Sequence, residues 1–97
     1  MSTAGTVWYH GGDLENGVPR AGPLYVTNNL ELAKGEARFH ATGRHPKGRV
    51  FRLRDEYARL VIDHPDEEKV GKVIEQSALR ECGGALAVFE EVFFEDV

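Results

Sequence analysis

The chain has 97 residues, 41% of them apolar, enough for one folded domain with a modest core and too apolar for a disordered acidic segment. No stretch approaches the run of about 18 apolar residues that a membrane span needs, and the opening Met1-Ser2-Thr3-Ala4-Gly5 lacks the basic start and apolar run of a secretion signal. A net charge of −4 argues against a dedicated nucleic-acid binder, and the single Cys82 excludes an internal disulfide and a cysteine-based zinc site, in keeping with a cytoplasmic protein.

Taken in chain order, residues 1–5 read as a frayed terminus. Strand formers at Val7-Trp8-Tyr9-His10 predict a first strand over 6–10, and Leu24-Tyr25-Val26-Thr27 predict a second over 23–27. Gly11, Gly12, Gly17, Pro19, Gly22 and Pro23 punctuate the connection between them. That connection is long for a hairpin, whose loops run to about 2–5 residues, and its length suggests a rim or binding role. Asn28 with Glu31 three residues on resembles a capping box. Leu30, Ala33, Ala37 and Ala41 recur at helical spacing, which predicts a helix over 29–41. Its buried face is mostly alanine, so it is expected close against the sheet, with Gly35 marking a near contact.

Gly43 ends that helix, and the alternation of Arg49–Arg54 predicts a third strand. The aromatic and β-branched residues of 57–62 predict a fourth. Pro65 followed by Asp66, Glu67 and Glu68 suits a helix start, and Val70, Val73 and Ile74 supply an apolar stripe, predicting a short helix over 65–74. Residues 75–81 either extend it or form a strand, and Cys82-Gly83-Gly84 turns. The apolar stretch 86–94 predicts one or two closing strands, covered on both sides for part of their length. The expected fold is α+β, with roughly five or six strands and two short helices in a single domain over 1–97, not a run of βαβ units.

Charge is unevenly spread. Residues 34–54 carry seven basic side chains against the single acid Glu36, while the remainder carries five basic and fifteen acidic ones. A basic centre in an acidic frame suits an anionic ligand such as a diphosphate; solvated surface arginines give the same pattern. The common nucleotide, phosphate, metalloprotease and nucleophile-elbow motifs are absent. His10, His40, His45 and His64 do not fall at metal-ligand spacings, so no metal site is expected. Cys82 reads as a core or near-core thiol.

What remains is a set at strand ends: His10, Tyr25 and Asp63. Each follows an apolar strand and precedes a turn, a helix cap or a proline, so the three can converge on one cleft. Plainer readings stand beside this one. His10 can be a half-buried structural histidine, Tyr25 plain strand packing, and Asp63 a helix cap.

Val7-Trp8-Tyr9-His10-Gly11-Gly12 resembles the aromatic-His-Gly-Thr opening of the ADP-ribosyltransferases. Gly22-Pro23-Leu24-Tyr25-Val26-Thr27, followed by a helix from Asn28-Asn29-Leu30, is similar to their second motif. Among the family's branches the small, stand-alone rifamycin-modifying (rifampin) enzymes are nearest in form. Gly48-Arg49-Val50-Phe51-Arg52-Leu53 resembles their next strand, Ile62-Asp63-His64-Pro65-Asp66 their Asp-Asp-Pro element, and Glu90-Glu91-Val92 with Glu95-Asp96 their closing segment. Gly12 stands where the family carries threonine, and the 11–22 loop is shorter, which casts doubt on the antibiotic as acceptor.

The resemblance implies a split-sheet ADP-ribosyltransferase-like domain. It would use NAD, cleave the ribose–nicotinamide bond and move ADP-ribose to a small molecule, protein or nucleic acid. His10 would hydrogen-bond the ribose, Tyr25 would pack on the nicotinamide, and Asp63 would be the acid, with Glu81 and Glu90 in reserve. Gly11 would join them in binding the dinucleotide, and Arg49 or another arginine of 49–54, or Arg20, would meet its diphosphate. The alternative is a non-catalytic protein-interaction module on a similar fold, with the acidic closing strand as its partner surface.

Overall fold

Short strands satisfy their backbone groups by pairing, and here they pair in two antiparallel sheets. The computed structural model describes residues 6–12, 14, 22–39, 48–84 and 86–92. The elements are β1 (Tyr9–Gly11), β2 (Pro23–Val26), α1 (Leu30–Phe39), β3 (Val50–Leu53), β4 (Ile62–Asp63), β5 (Lys72–Glu75), α2 (Gln76–Glu81) and β6 (Phe89–Val92). One three-stranded sheet has the order β1-β3-β6 and the other β2-β5-β4. Tyr9 and Thr27 exchange both backbone hydrogen bonds, at 2.7 and 2.9 Å, and this single bridge joins the sheets.

The two faces of the first sheet are covered differently. Phe51, Leu53 and Phe89 point into the main core, where they meet Val26 and Ile74 of the second sheet, Leu79 of α2 and Val88. The opposite face, with Val50 and Tyr9, is covered by Ala33 and Ala37 of α1. The small helix face does bring backbones together, as the alanine spacing predicts. A methyl group on Gly11 would overlap the Ala33 carbonyl and stand 2.9 Å from the Ala37 nitrogen. Gly48, at φ +80°, has the same relation to Ala37. Gly35 has open space around it, so the close contact lies at Gly11 and Gly48 instead. The cap shifts by one residue: Asn29 Oδ1 accepts from the Glu31 and Leu32 N–H groups at 3.0 and 3.3 Å.

Two predicted elements are of another kind. The predicted strand over 57–62 is mostly a 3₁₀ helix, Asp55–Leu60, and only Ile62–Asp63 pairs as β4. Tyr57 and Leu60, three apart, stack on one side of that tight helix and pack on the main core. The predicted helix over 65–74 is a turn followed by β5: the His64 N–H donates to the Gly71 carbonyl at 2.9 Å, closing the turn. Val73 and Ile74 are both fully buried, as adjacent residues of a covered central strand are, whereas Val70 is 97% exposed.

Residues 76–81 form α2, which ends in a glycine cap with the Gly84 N–H donating to the Leu79 carbonyl at 3.0 Å. The closing segment is a 3₁₀ turn, Leu86–Val88, and then β6, which lies at a sheet edge and not at its centre. No helix among the described residues is long and apolar enough to cross a membrane.

Candidate ligand-binding cleft

The bridge between the sheets dictates what lies beside it. Thr27 turns its peptide toward β1, so by strand alternation Tyr25 does too, and a continued ladder would set Tyr25 against Gly11. The ladder does not continue among the described residues. The His10 side chain enters the gap instead, with Nδ1 2.7 Å from the Tyr25 carbonyl oxygen. A carbonyl can only accept, so Nδ1 carries the proton. The imidazole also lies 6.1 Å from the Phe89 ring, tilted by 56°, which ties it to the main core.

A cleft of about 540 Å³ opens at this parting, within the range of small-molecule sites. His10, Gly11 and Tyr25 line it, as do Asn28, Leu32 and Glu36 from the helix side and Val70 and Lys72 from the second sheet. Tyr25 is 46% exposed. Its ring is stacked against His64, centroids 5.3 Å apart and planes 26° from parallel. His64 Nδ1 accepts from the Asp66 N–H at 2.9 Å, so this nitrogen is unprotonated and Nε2 bears the hydrogen.

Asp63 is not brought to this cleft. Register places Val26, Lys72 and Asp63 in one row and Tyr25, Val73 and Ile62 in the next, so the aspartate points to the face opposite Tyr25. Its side chain is 82% exposed and pairs with Lys72 Nζ at 2.5 Å. Glu81 is an exposed residue of α2 outside the cleft lining. Glu90 pairs with Arg52 across β3 and β6 and lies 4.0 Å from Arg54, lining a separate depression. The hydrogen bond from Arg52, then its charge, holds the Glu90 carboxyl below its ordinary value, and the same bond and the Glu90 charge hold the guanidinium above its own.

Arg49 is likewise engaged elsewhere: its Nε pairs with Glu91, and its guanidinium lies 5.0 Å over the Phe51 ring. Three arginines of the basic centre therefore meet acids of β6. Arg44 and Lys47, which belong to that centre, lie outside the described residues, as does Arg20.

Two residues escape the sequence reading: Glu36, which lines the cleft, and His64, which stacks on Tyr25. Glu36 looks like an ordinary surface charge in the sequence. His64 was one residue from the chosen Asp63, and only strand pairing decides which of two neighbours faces Tyr25. Among the described residues no group of three or more histidine, cysteine or acidic side chains is placed to hold a metal. Comparison with known protein families, with characterised proteins and with solved structures finds no match to the chain.

Proposed function

We propose that the cleft binds NAD and that the chain is an NAD-dependent ADP-ribosyltransferase on a split-sheet ADP-ribosyltransferase-like fold. One observation carries this reading: the strand-end histidine and tyrosine of the two family-like motifs line one cleft, at the point where two three-stranded sheets part. Tyr25 offers an exposed ring to the nicotinamide, His10 a fixed imidazole to the ribose, and Gly11 a backbone free of side-chain bulk.

Breaking the ribose–nicotinamide bond develops positive charge on the sugar, and a fixed carboxylate stabilises that charge more than it stabilises the ground state. Asp63 faces away, so we assign this part to Glu36, the acidic side chain that lines the cleft. The second reading, a non-catalytic module, is favoured by one specific feature: Asp63 and Glu90 are both held in ion pairs.

The test is nicotinamide release from NAD by the purified protein, alongside NAD binding by calorimetry. Release should vanish in His10→Ala and Glu36→Gln and persist in Asp63→Ala. Binding without release would move the chain to the non-catalytic reading, with NAD as its ligand. Neither binding nor release would leave the protein-interaction module.

A further inference from the structure

We propose that His64 is a positioning residue for the cleft: its imidazole backs one face of the Tyr25 ring, so that the other face meets a flat ring of the ligand. The proposal rests on the NAD reading for the ligand's identity. The ring geometry stands apart from it.

Three observations converge on this arrangement. His64 and Tyr25 are stacked at 5.3 Å, although Tyr25 lies in β2 and His64 in the turn that follows β4. The imidazole cannot easily turn, because Nδ1 holds the Asp66 N–H at 2.9 Å while the His64 N–H holds the Gly71 carbonyl at 2.9 Å. Gly71 completes the support. A Cβ built there would stand 3.7 Å from the Tyr25 ring, an ordinary van der Waals distance, so its backbone runs alongside the same ring. Asp66 Oδ1 accepts in turn from the Glu68 N–H at 3.0 Å, which braces the turn that carries the histidine.

His64 Nε2 is buried and meets no hydrogen-bond partner among the described residues. An N–H left so is unfavourable. A residue chosen only to build the turn would not need it, since asparagine accepts an N–H two residues on without burying a second polar atom. The ring itself is therefore the useful part of the side chain. A neutral ring at this place supports a bound ring and supplies no negative charge, which separates its part from the acid's.

Two variants separate the ring from the turn. His64→Asn keeps an acceptor for the Asp66 N–H and loses the ring, whereas His64→Phe keeps a flat ring and loses the acceptor. NAD affinity should fall about tenfold in His64→Asn, the size expected of one lost ring stack. In His64→Phe it should stay within about threefold of wild type, even where thermal stability drops. In the free protein, the Tyr25 ring-proton shifts should move toward random-coil values in the asparagine variant and stay displaced in the phenylalanine one. Equal affinity and unchanged Tyr25 shifts in His64→Asn would overturn the proposal, as would an equal loss in both variants. Should wild type bind no NAD, the transferase reading fails, and indole serves as a bare flat-ring probe. Indole binding lost in His64→Asn and kept in His64→Phe retains the ring support; binding insensitive to both, or no indole binding, overturns it.

Discussion

Helix α1 forms its wall of the cleft by setting backbone against backbone, whereas the 64–71 turn forms the facing wall through one ring stack and a few polar turn bonds. On the helix side, Ala33 and Ala37 are fully buried over glycines that have no room for a methyl group. On the turn side, Val70 is 97% exposed, and Asp66, Glu67 and Glu68 are exposed too. Close packing has no slack, so a small change there shifts the whole element. A turn with few buried contacts opens locally at low cost and can adjust to a ligand. The cleft thus has a fixed jaw and a compliant one.

Gly11→Ala strikes the fixed jaw and should have the largest effect, because the new methyl meets helix backbone that no side-chain rotation can relieve. We expect a loss of at least about 4 kcal/mol, beyond the usual range for a point substitution, read from the urea midpoint. A loss below about 1 kcal/mol would mean that α1 does not rest on β1.

The next pair tests where the compliant jaw joins the core. Ile74→Ala should cost about 3 kcal/mol, since the side chain is fully buried. Val70→Ala should stay within about 0.5 kcal/mol, because the side chain is almost fully exposed. Comparable losses at the two positions would restore the helical stripe in which 70, 73 and 74 share a face.

That stripe shows why one jaw was legible in the sequence and the other was not. Ala33 and Ala37 sit four apart with charges between them, and only a helix resting on something close makes use of such a pattern. The β1, β2 and β3 segments were similarly plain, each within a few residues of its predicted span. Val70, Val73 and Ile74 fit helical spacing equally well, but the adjacent pair is buried by neighbours on both faces of a strand. On the Ile74 side they include Phe51 and Leu53 of β3 and Phe89 of β6, distant in sequence. The same limit governs the site. His10 and Tyr25 stand on recognisable strands, and the structure brings them together at one cleft. Asp63 was read as the strand-end acid, and the face it takes was not legible because β4 is only two residues long and shows no alternation of its own. Arg49 was assigned to a ligand because its partner Glu91 lies 42 residues away.

A smaller effect sharpens the fixed jaw at its other end. Asn29→Ala removes the acceptor for two N–H groups at the start of α1 and should cost about 1 kcal/mol, measured by thermal unfolding. Asn28→Ala should cost less, since Asn28 lines the cleft and does not cap the helix. The reverse order would return the cap to Asn28.

The smallest effect lies away from both jaws, at the Arg52–Glu90 pair on the sheet that carries α1. Arg52, by hydrogen bond first and charge second, holds the Glu90 carboxyl below its ordinary value of 4.5. The folded chain therefore takes up this proton less readily than the unfolded chain. The pair's contribution is complete above 4.5, erodes as pH falls through that value, and is gone below the lowered native one. Both side chains are nearly half exposed, so water and salt screen them and the effect is small. Glu90→Gln should therefore lower Tm slightly at neutral pH, and its curve should meet that of wild type at the acid end. At high salt the two should lie close together throughout. A gap that widened on acidification would mean that the carboxylate is destabilising in the fold and that Arg52 is not its partner in solution.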